Sequence, residues 1–191
     1  MPASTNPAST NTETEQNRIV DLPGPAFKYT ITAEAPAETV WQLWQDVDNW
    51  KEFDERLKYS YLESGYSFEN GAVGYLKGKG APKTRFVLEN IDPGQSFDEI
   101  LGLPLGQKIL LKRIINYSDD NSTTFTHEVH FLGGLKGFFY PFLKGPFKKD
   151  IVLVMKAMKT LAEQRASGAS GEGEPKPAAP EPSLPNQPEL P

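Results

Sequence analysis

The chain has 191 residues, which is enough for one domain that buries a hydrophobic core without covalent cross-links. Its formal net charge of -5 leaves no broad basic surface, so nucleic acid is excluded as an expected partner. The chain contains no cysteine, which excludes disulfides, thiolate metal sites and cysteine nucleophiles. It has no apolar run long enough to span a bilayer and no signal-peptide pattern, so a cytoplasmic location is expected.

Both ends of the chain have the composition of disordered segments. Residues 1–18 are mostly polar and contain no large apolar residue after Met1, and residues 166–191 are dense in Pro, Glu, Gly, Ser and Ala. Such segments cannot bury enough apolar surface to offset the entropy of ordering. We therefore expect a folded domain over residues 19–165 between two disordered tails.

The first predicted strand covers residues 26–34, where apolar residues such as Phe27 and Ile31 alternate with polar ones. Pro36 is favourable in the first turn of a helix, and apolar residues then recur at helical spacing. A second short helical segment is expected at residues 48–53. The residues at helical spacing are Val40, Leu43, Trp44 and Val47.

A run of strands is predicted between residues 57 and 133. Short segments rich in Gly, Pro, Asp and Asn divide it, and sequential strands with short connections indicate an antiparallel meander. Beyond Gly134 the apolar period becomes helical, over a length that would cross the sheet. The apolar stripe of this final helix consists of Tyr140, Leu143, Phe147, Ile151, Val154, Met158 and Leu161.

Three stretches carry a family resemblance. They are Ile31-Thr-Ala-Glu-Ala-Pro-Ala-Glu-Thr-Val-Trp41, Asp46-Val-Asp-Asn-Trp-Lys-Glu-Phe53, and the helix from Ile151 to Leu161. With the order of elements, they resemble the START-like superfamily of Bet v 1-type folds (SRPBCC), and more narrowly its polyketide cyclase/dehydrase and lipid-transport-like members. The resemblance implies an α+β helix-grip fold, in which a curved antiparallel sheet of about seven strands wraps around a long C-terminal helix. It also implies a cavity for a hydrophobic ligand between the sheet and that helix.

Polar residues on apolar strand faces are the candidate site, because burying them is unfavourable unless a partner or ligand compensates. In the last strand His127 shares a face with Phe125 and Phe131, so it is predicted to point into the core, whereas His130 is predicted to face solvent. In an earlier strand Glu99 lies on the more apolar face.

The strand before His127 is ambiguous, since both of its faces carry apolar residues. A three-residue loop at Asp119–Asn121 would pair Arg113 with His127, whereas a two-residue loop would pair Lys112 with it. The three-residue loop buries the more apolar face and is favoured. It places Arg113, Ile115 and Tyr117 on the inner surface.

Two interpretations of Glu99, Arg113 and His127 stay open. They could orient or protonate a ligand in an apolar cavity, or form a structural ion pair with a hydrogen-bonded histidine. Our leading hypothesis is binding of a small hydrophobic ligand such as a lipid, isoprenoid or polyketide, with transport of that ligand as a further role. The predicted ligand-binding residues are Glu99, Arg113, His127, Phe125, Tyr117, Phe147, Ile151, Val154 and Met158.

Two alternatives belong to other classes. One is a cyclase/dehydrase-type enzyme that uses His127 as acid or base and Arg113 to stabilise an enolate. The other is a co-chaperone-like module for protein interaction. No phosphate loop, dinucleotide fingerprint or metal-ligand spacing occurs, so no cofactor and no metal are expected. The aromatic segment Phe138–Leu143 is a candidate for peripheral membrane contact, and Pro141 and Pro146 are predicted to interrupt the helix there.

Overall fold

The computed structural model describes residues 16–119 and 121–168. The predicted tails lie outside the described residues, apart from residues 16–18 and 166–168. Within the described residues, no helix is long and apolar enough to cross a membrane.

A single curved antiparallel sheet of eight strands forms most of the domain. The strands are β1 Ile19–Leu22, β2 Ala26–Ala33, β3 Leu57–Leu62, β4 Val73–Gly78, β5 Lys83–Asp92, β6 Ser96–Gly102, β7 Lys108–Ser118 and β8 Thr123–Leu132. Its strand order is β1-β2-β8-β7-β6-β5-β4-β3, so the meander predicted from the turn residues is confirmed over β3 to β8. The strand that the sequence did not predict is β1, which has four residues and pairs with β2 at one edge of the sheet.

Two short helices follow β2, as predicted. Helix α1 covers Ala37–Gln45, and a 3-10 helix covers Val47–Glu52. A further 3-10 turn, Pro104–Gly106, connects β6 to β7. The long C-terminal helix α2 covers Lys136–Ala166. These elements make up the helix-grip fold.

The predicted interruption of the C-terminal helix was wrong, because α2 continues through Pro141 and Pro146. Each proline removes a hydrogen bond to the carbonyl four residues earlier, which belongs to Gly137 or Phe142. Both of these residues are exposed, so water can hydrogen-bond the freed carbonyls. The helix therefore tolerates the two prolines at its solvent-facing N-terminal end.

Tryptophan and methionine side chains fill the space between the sheet and the helices. Trp44 and Trp50 are fully buried, and the Trp44 indole donates a hydrogen bond to the sulfur of Met158 over 3.2 Å. The buried face of α2 includes Met155, which the predicted stripe omitted in favour of the half-buried Val154. The residues that α2 buries most deeply are Ile151, Met155, Met158 and Ala162.

Candidate functional site

Glu99, Arg113 and His127 meet on the inner face of three neighbouring strands. Arg113 pairs with His127 across β7 and β8, as predicted, and with Phe97 across β6 and β7. Glu99 lies two residues from Phe97 and therefore on the same face. Its Oε2 atom lies 2.7 Å from Nη2 of Arg113, and the two side chains are 1% and 7% exposed. We refer to these three residues as the inner trio.

The correct pairing of Arg113 arises from two deviations that cancel. The connection between β7 and β8 is one residue longer than predicted, since Ser118 pairs with Thr123. A register shift between Ile115 and Tyr117 then restores the predicted pairing for the rest of the strand. This shift turns Tyr117 outward, and the residue is 61% exposed. The prediction that Tyr117 lies on the inner surface was therefore wrong.

The charges of the inner trio interact while buried from solvent. Burial raises the pKa of the Glu99 carboxyl, and the nearby charge of Arg113 opposes that rise. Burial, together with the positive charge of Arg113, lowers the pKa of His127 well below 6.5. The Arg113 guanidinium also lies over the rings of Trp50 and Phe97, at 4.7 and 5.0 Å from their centroids.

Several polar atoms of the inner trio have no hydrogen-bond partner among the described residues. They are both carboxylate oxygens of Glu99, Nε and Nη1 of Arg113, and Nε2 of His127. Glu99 and Arg113 compensate each other's charge as an ion pair. Buried polar groups in this condition are unfavourable, so the trio is a source of instability unless another polar group reaches it.

The pKa of His127 predicts a dependence of stability on pH. Because the folded protein holds this imidazole neutral below pH 6.5, the unfolded chain binds more protons there. The free energy of unfolding should therefore fall as the pH falls below about 6.5, by up to about 1.4 kcal/mol per pH unit. Glu99, with its raised pKa, contributes in the opposite direction towards lower pH. Urea unfolding of the wild type and of His127→Phe between pH 5 and 7 measures the difference in slope.

The second histidine provides the control for this measurement. His130 lies on the same strand, but its side chain is 30% exposed and pairs with Glu128 at 3.0 Å. His130→Phe therefore controls for the substitution itself, and His127→Phe should lose most of the pH dependence of the wild type. Equal slopes in all three proteins would contradict a neutral, buried His127.

Of the other predicted ligand-binding residues, Phe125 lies beside the inner trio. The ring of Phe125 lies 6.4 Å from that of His127 and 6.0 Å from that of Trp44. Ile151 and Met158 belong to the buried face of α2, and Val154 is half-buried beside them. Phe147 lies apart from this group, against Phe131 at a ring distance of 5.5 Å.

An apolar cavity of about 260 Å³ lies where the β6–β7 connection, the end of β8 and the start of α2 come together. Six of its nine lining residues are apolar, and none belongs to the inner trio. Sequence reasoning missed this cavity, because its walls come from three separate segments. The lining residues are Leu103, Pro104, Leu105, Gln107, Lys108, Phe131, Leu132, Lys136 and Leu143. We refer to this space as the end cavity.

Gln107 holds two walls of the end cavity together. Its side-chain amide donates to the carbonyl of Leu105 at 3.1 Å and accepts from the backbone N–H of Leu135 at 3.2 Å. Gly133 allows this contact, since it has a φ of +114° and a Cβ there would lie within 2.9 Å of the Gln107 amide. The side-chain amide of Gln107 is thus hydrogen-bonded to the backbone on both sides of the cavity.

The described residues contain no group of three or more His, Cys, Asp or Glu side chains that could hold a metal ion. The curved sheet, the long helix α2 that packs against it and the apolar end cavity together define a protein of the helix-grip class. A model of the family described as polyketide cyclase / dehydrase and lipid transport matches residues 25–163, and the chain belongs to this family.

Solved structures with the same fold have low sequence identity. A protein from Arthrobacter aurescens is 14% identical, with a TM-score of 0.59, over 78% of this chain and 92% of its own. The Zhui aromatase/cyclase from a Streptomyces species is 18% identical, with a TM-score of 0.59, over 76% of this chain and 98% of its own. Ara h 8.0201 is 15% identical, with a TM-score of 0.53, over 72% of this chain and 96% of its own. No curated protein matches the chain significantly.

Proposed function

We propose that this protein binds a small hydrophobic molecule, such as part of a lipid, isoprenoid or polyketide, in the end cavity. The observation that carries the proposal is the lining of the end cavity, to which six apolar residues contribute. Gln107 also lines it, but its side-chain amide is already hydrogen-bonded to the backbone. Ligand sites are typically concave and mostly apolar, with few polar groups. The family description, which includes lipid transport, supports the same class of ligand.

The size of the end cavity limits the ligand. Its volume of about 260 Å³ lies just below the range of about 300–1,000 Å³ that is usual for small-molecule sites. A ring system or the end of an acyl chain fits this space, while the rest of a larger molecule would extend past the exposed Leu105. Lys108 and Lys136 also line the cavity, and the positive charge of these two residues suits a ligand with a polar or anionic end.

We place the ligand in the end cavity because the inner trio is enclosed. A cyclase-type reaction would require substrate beside Nε2 of His127, and the rings of Trp44 and Phe125 pack against that imidazole at 5.8 and 6.4 Å. His127 is 5% exposed and Arg113 is 6% exposed. The exposed, apolar end cavity is accessible to a ligand without any rearrangement of these rings.

Filling the end cavity should weaken binding. We expect Leu143→Trp to raise the Kd for the uncharged fluorophore N-phenyl-1-naphthylamine about tenfold or more, equivalent to about 1.4 kcal/mol, because the indole occupies the ligand's space. An uncharged probe avoids direct attraction to the lysines. Fluorescence titration measures the Kd, and a thermal melt of each variant checks that the fold is retained.

Leu153→Trp is the matched control, because Leu153 lies on the same helix and is 62% exposed outside the end cavity. It should bind the probe as tightly as the wild type. A Kd that is unchanged in Leu143→Trp, or raised equally in both variants, would contradict binding in the end cavity. Native mass spectrometry of the purified protein then tests for a co-purified hydrophobic molecule.

A further inference from the structure

The N-terminal end of α2 exposes an unusual number of large apolar side chains. Phe138 and Phe142 are 67% and 71% exposed, lie one turn apart, and have ring centroids separated by 5.9 Å. Leu135, just before the helix, is 46% exposed. Single exposed apolar residues are ordinary, but a cluster of them on one surface marks an interaction site.

The β6–β7 connection extends this apolar surface. Leu105, at its tip, is 74% exposed and has a φ of +59°, a conformation that is unfavourable for a leucine. Gln107 holds Leu105 close to Leu135, since it bonds to the backbone of both residues. We refer to Leu105, Leu135, Phe138 and Phe142 as the apolar tip.

Basic residues accompany the apolar tip, although the whole chain is acidic. Between Glu128 and Asp150 the sequence has four lysines and no carboxylate. Two of these lysines, Lys144 and Lys148, contact Asp21. The other two are Lys136, which lines the end cavity, and Lys149. Lys149 lies on the same side of α2 as the two phenylalanines, three helical turns from Phe138 and two from Phe142.

We propose that the apolar tip docks on the surface of an anionic lipid bilayer. The phenylalanine and leucine side chains would enter the boundary between headgroups and acyl chains, while the lysines contact anionic headgroups. A symmetric contact between two copies is less favourable, because it would bring the same lysines against one another. The positive charge beside the apolar tip therefore favours an anionic lipid surface over a second copy of the chain.

Docking in this orientation would bring the end cavity to the membrane. Leu105 belongs to both the apolar tip and the cavity lining, and Lys136 lines the cavity at the start of α2. A hydrophobic molecule could then pass between bilayer and cavity with little exposure to water. The docking itself does not depend on the proposed ligand binding, because it requires only the exposed side chains.

The test is sedimentation of the full-length protein with vesicles of phosphatidylcholine mixed with phosphatidylglycerol, and with vesicles of phosphatidylcholine alone. We expect binding to the anionic vesicles and weaker binding to the neutral ones. Binding should be lost at high salt, because the Debye length falls to about 3 Å at 1 M. Phe138→Ser with Phe142→Ser should reduce the partition coefficient about tenfold or more. Lys136→Gln with Lys149→Gln should reduce it about fivefold per lysine.

Two exposed aromatic residues elsewhere provide the matched control. Tyr59 and Tyr66 are 39% and 43% exposed, and replacing both by Ser should leave vesicle binding unchanged. Leu143→Trp should also bind vesicles normally even if it no longer binds the fluorophore, which separates docking from ligand binding. Thermal melts confirm that each variant is folded.

Three outcomes would overturn the proposal. They are absence of binding to anionic vesicles, equal binding to neutral and anionic vesicles, and a concentration-dependent dimer in sedimentation velocity that Phe138→Ser with Phe142→Ser dissociates. The last outcome would show that a second copy of the chain, rather than lipid, covers the apolar tip.

Discussion

Arg113→Met should destabilise the domain by about 3–5 kcal/mol, which is the usual effect of removing one partner of a buried ion pair. Glu99 is fully buried, and its carboxylate lies 2.7 Å from the Arg113 guanidinium. Without that positive charge the carboxylate must either remain buried and unpaired or take up a proton. The variant also loses the contacts of the guanidinium with Trp50 and Phe97. Urea unfolding at pH 7 measures the loss in free energy.

The double variant Glu99→Leu with Arg113→Met should recover much of this stability, because it removes both charges and leaves apolar side chains of similar size. Arg56→Met is the control for the substitution itself. Arg56 is 46% exposed in its ion pairs with Asp54 and Asp150, and exposed pairs contribute about 0–1 kcal/mol. A double variant no more stable than Arg113→Met would show that the ion pair is not the origin of the effect.

The inner trio was predictable because strand alternation is a local property. The faces of β6 and β8 follow directly from the sequence, so Glu99 and His127 were placed correctly. The pairing of Arg113 depended on the length of the β7–β8 connection, which turn residues indicate only approximately. The predicted connection was one residue too short, but the pairing of Arg113 was still correct because a register shift near Tyr117 compensates for the error. Only Tyr117 itself was misplaced.

The end cavity and the buried face of α2 were less accessible to sequence reasoning. The cavity depends on how Leu105, Phe131 and Leu143 come together, and no periodicity in the chain describes that arrangement. In α2, spacings of three and four residues can alternate in more than one way, so the stripe through Val154 and the one through Met155 fit equally well. The structure decides between them, because Met155 is fully buried and Val154 is only half-buried.

Met158→Asp should unfold or nearly unfold the domain, with a loss of about 4 kcal/mol or more. Met158 has no exposed surface, and its sulfur accepts the hydrogen bond from the buried Trp44 indole. An aspartate there would bury a charge in the apolar layer between α2 and the sheet. Urea unfolding, or the fraction of soluble protein if the variant does not fold, measures this effect.

Two variants make the Met158 prediction specific. Leu153→Asp places the same charge on the same helix, but at a residue that is 62% exposed, so its stability should lie within about 0.5 kcal/mol of the wild type. Met158→Leu keeps the volume and removes the sulfur, so it should lose less than about 1.5 kcal/mol, mainly through the Trp44 indole that is left without its acceptor. If Met158→Asp were as stable as Leu153→Asp, then α2 would present a different face to the sheet, and the walls of the end cavity, which include Leu143 of the same helix, would have to be assigned again.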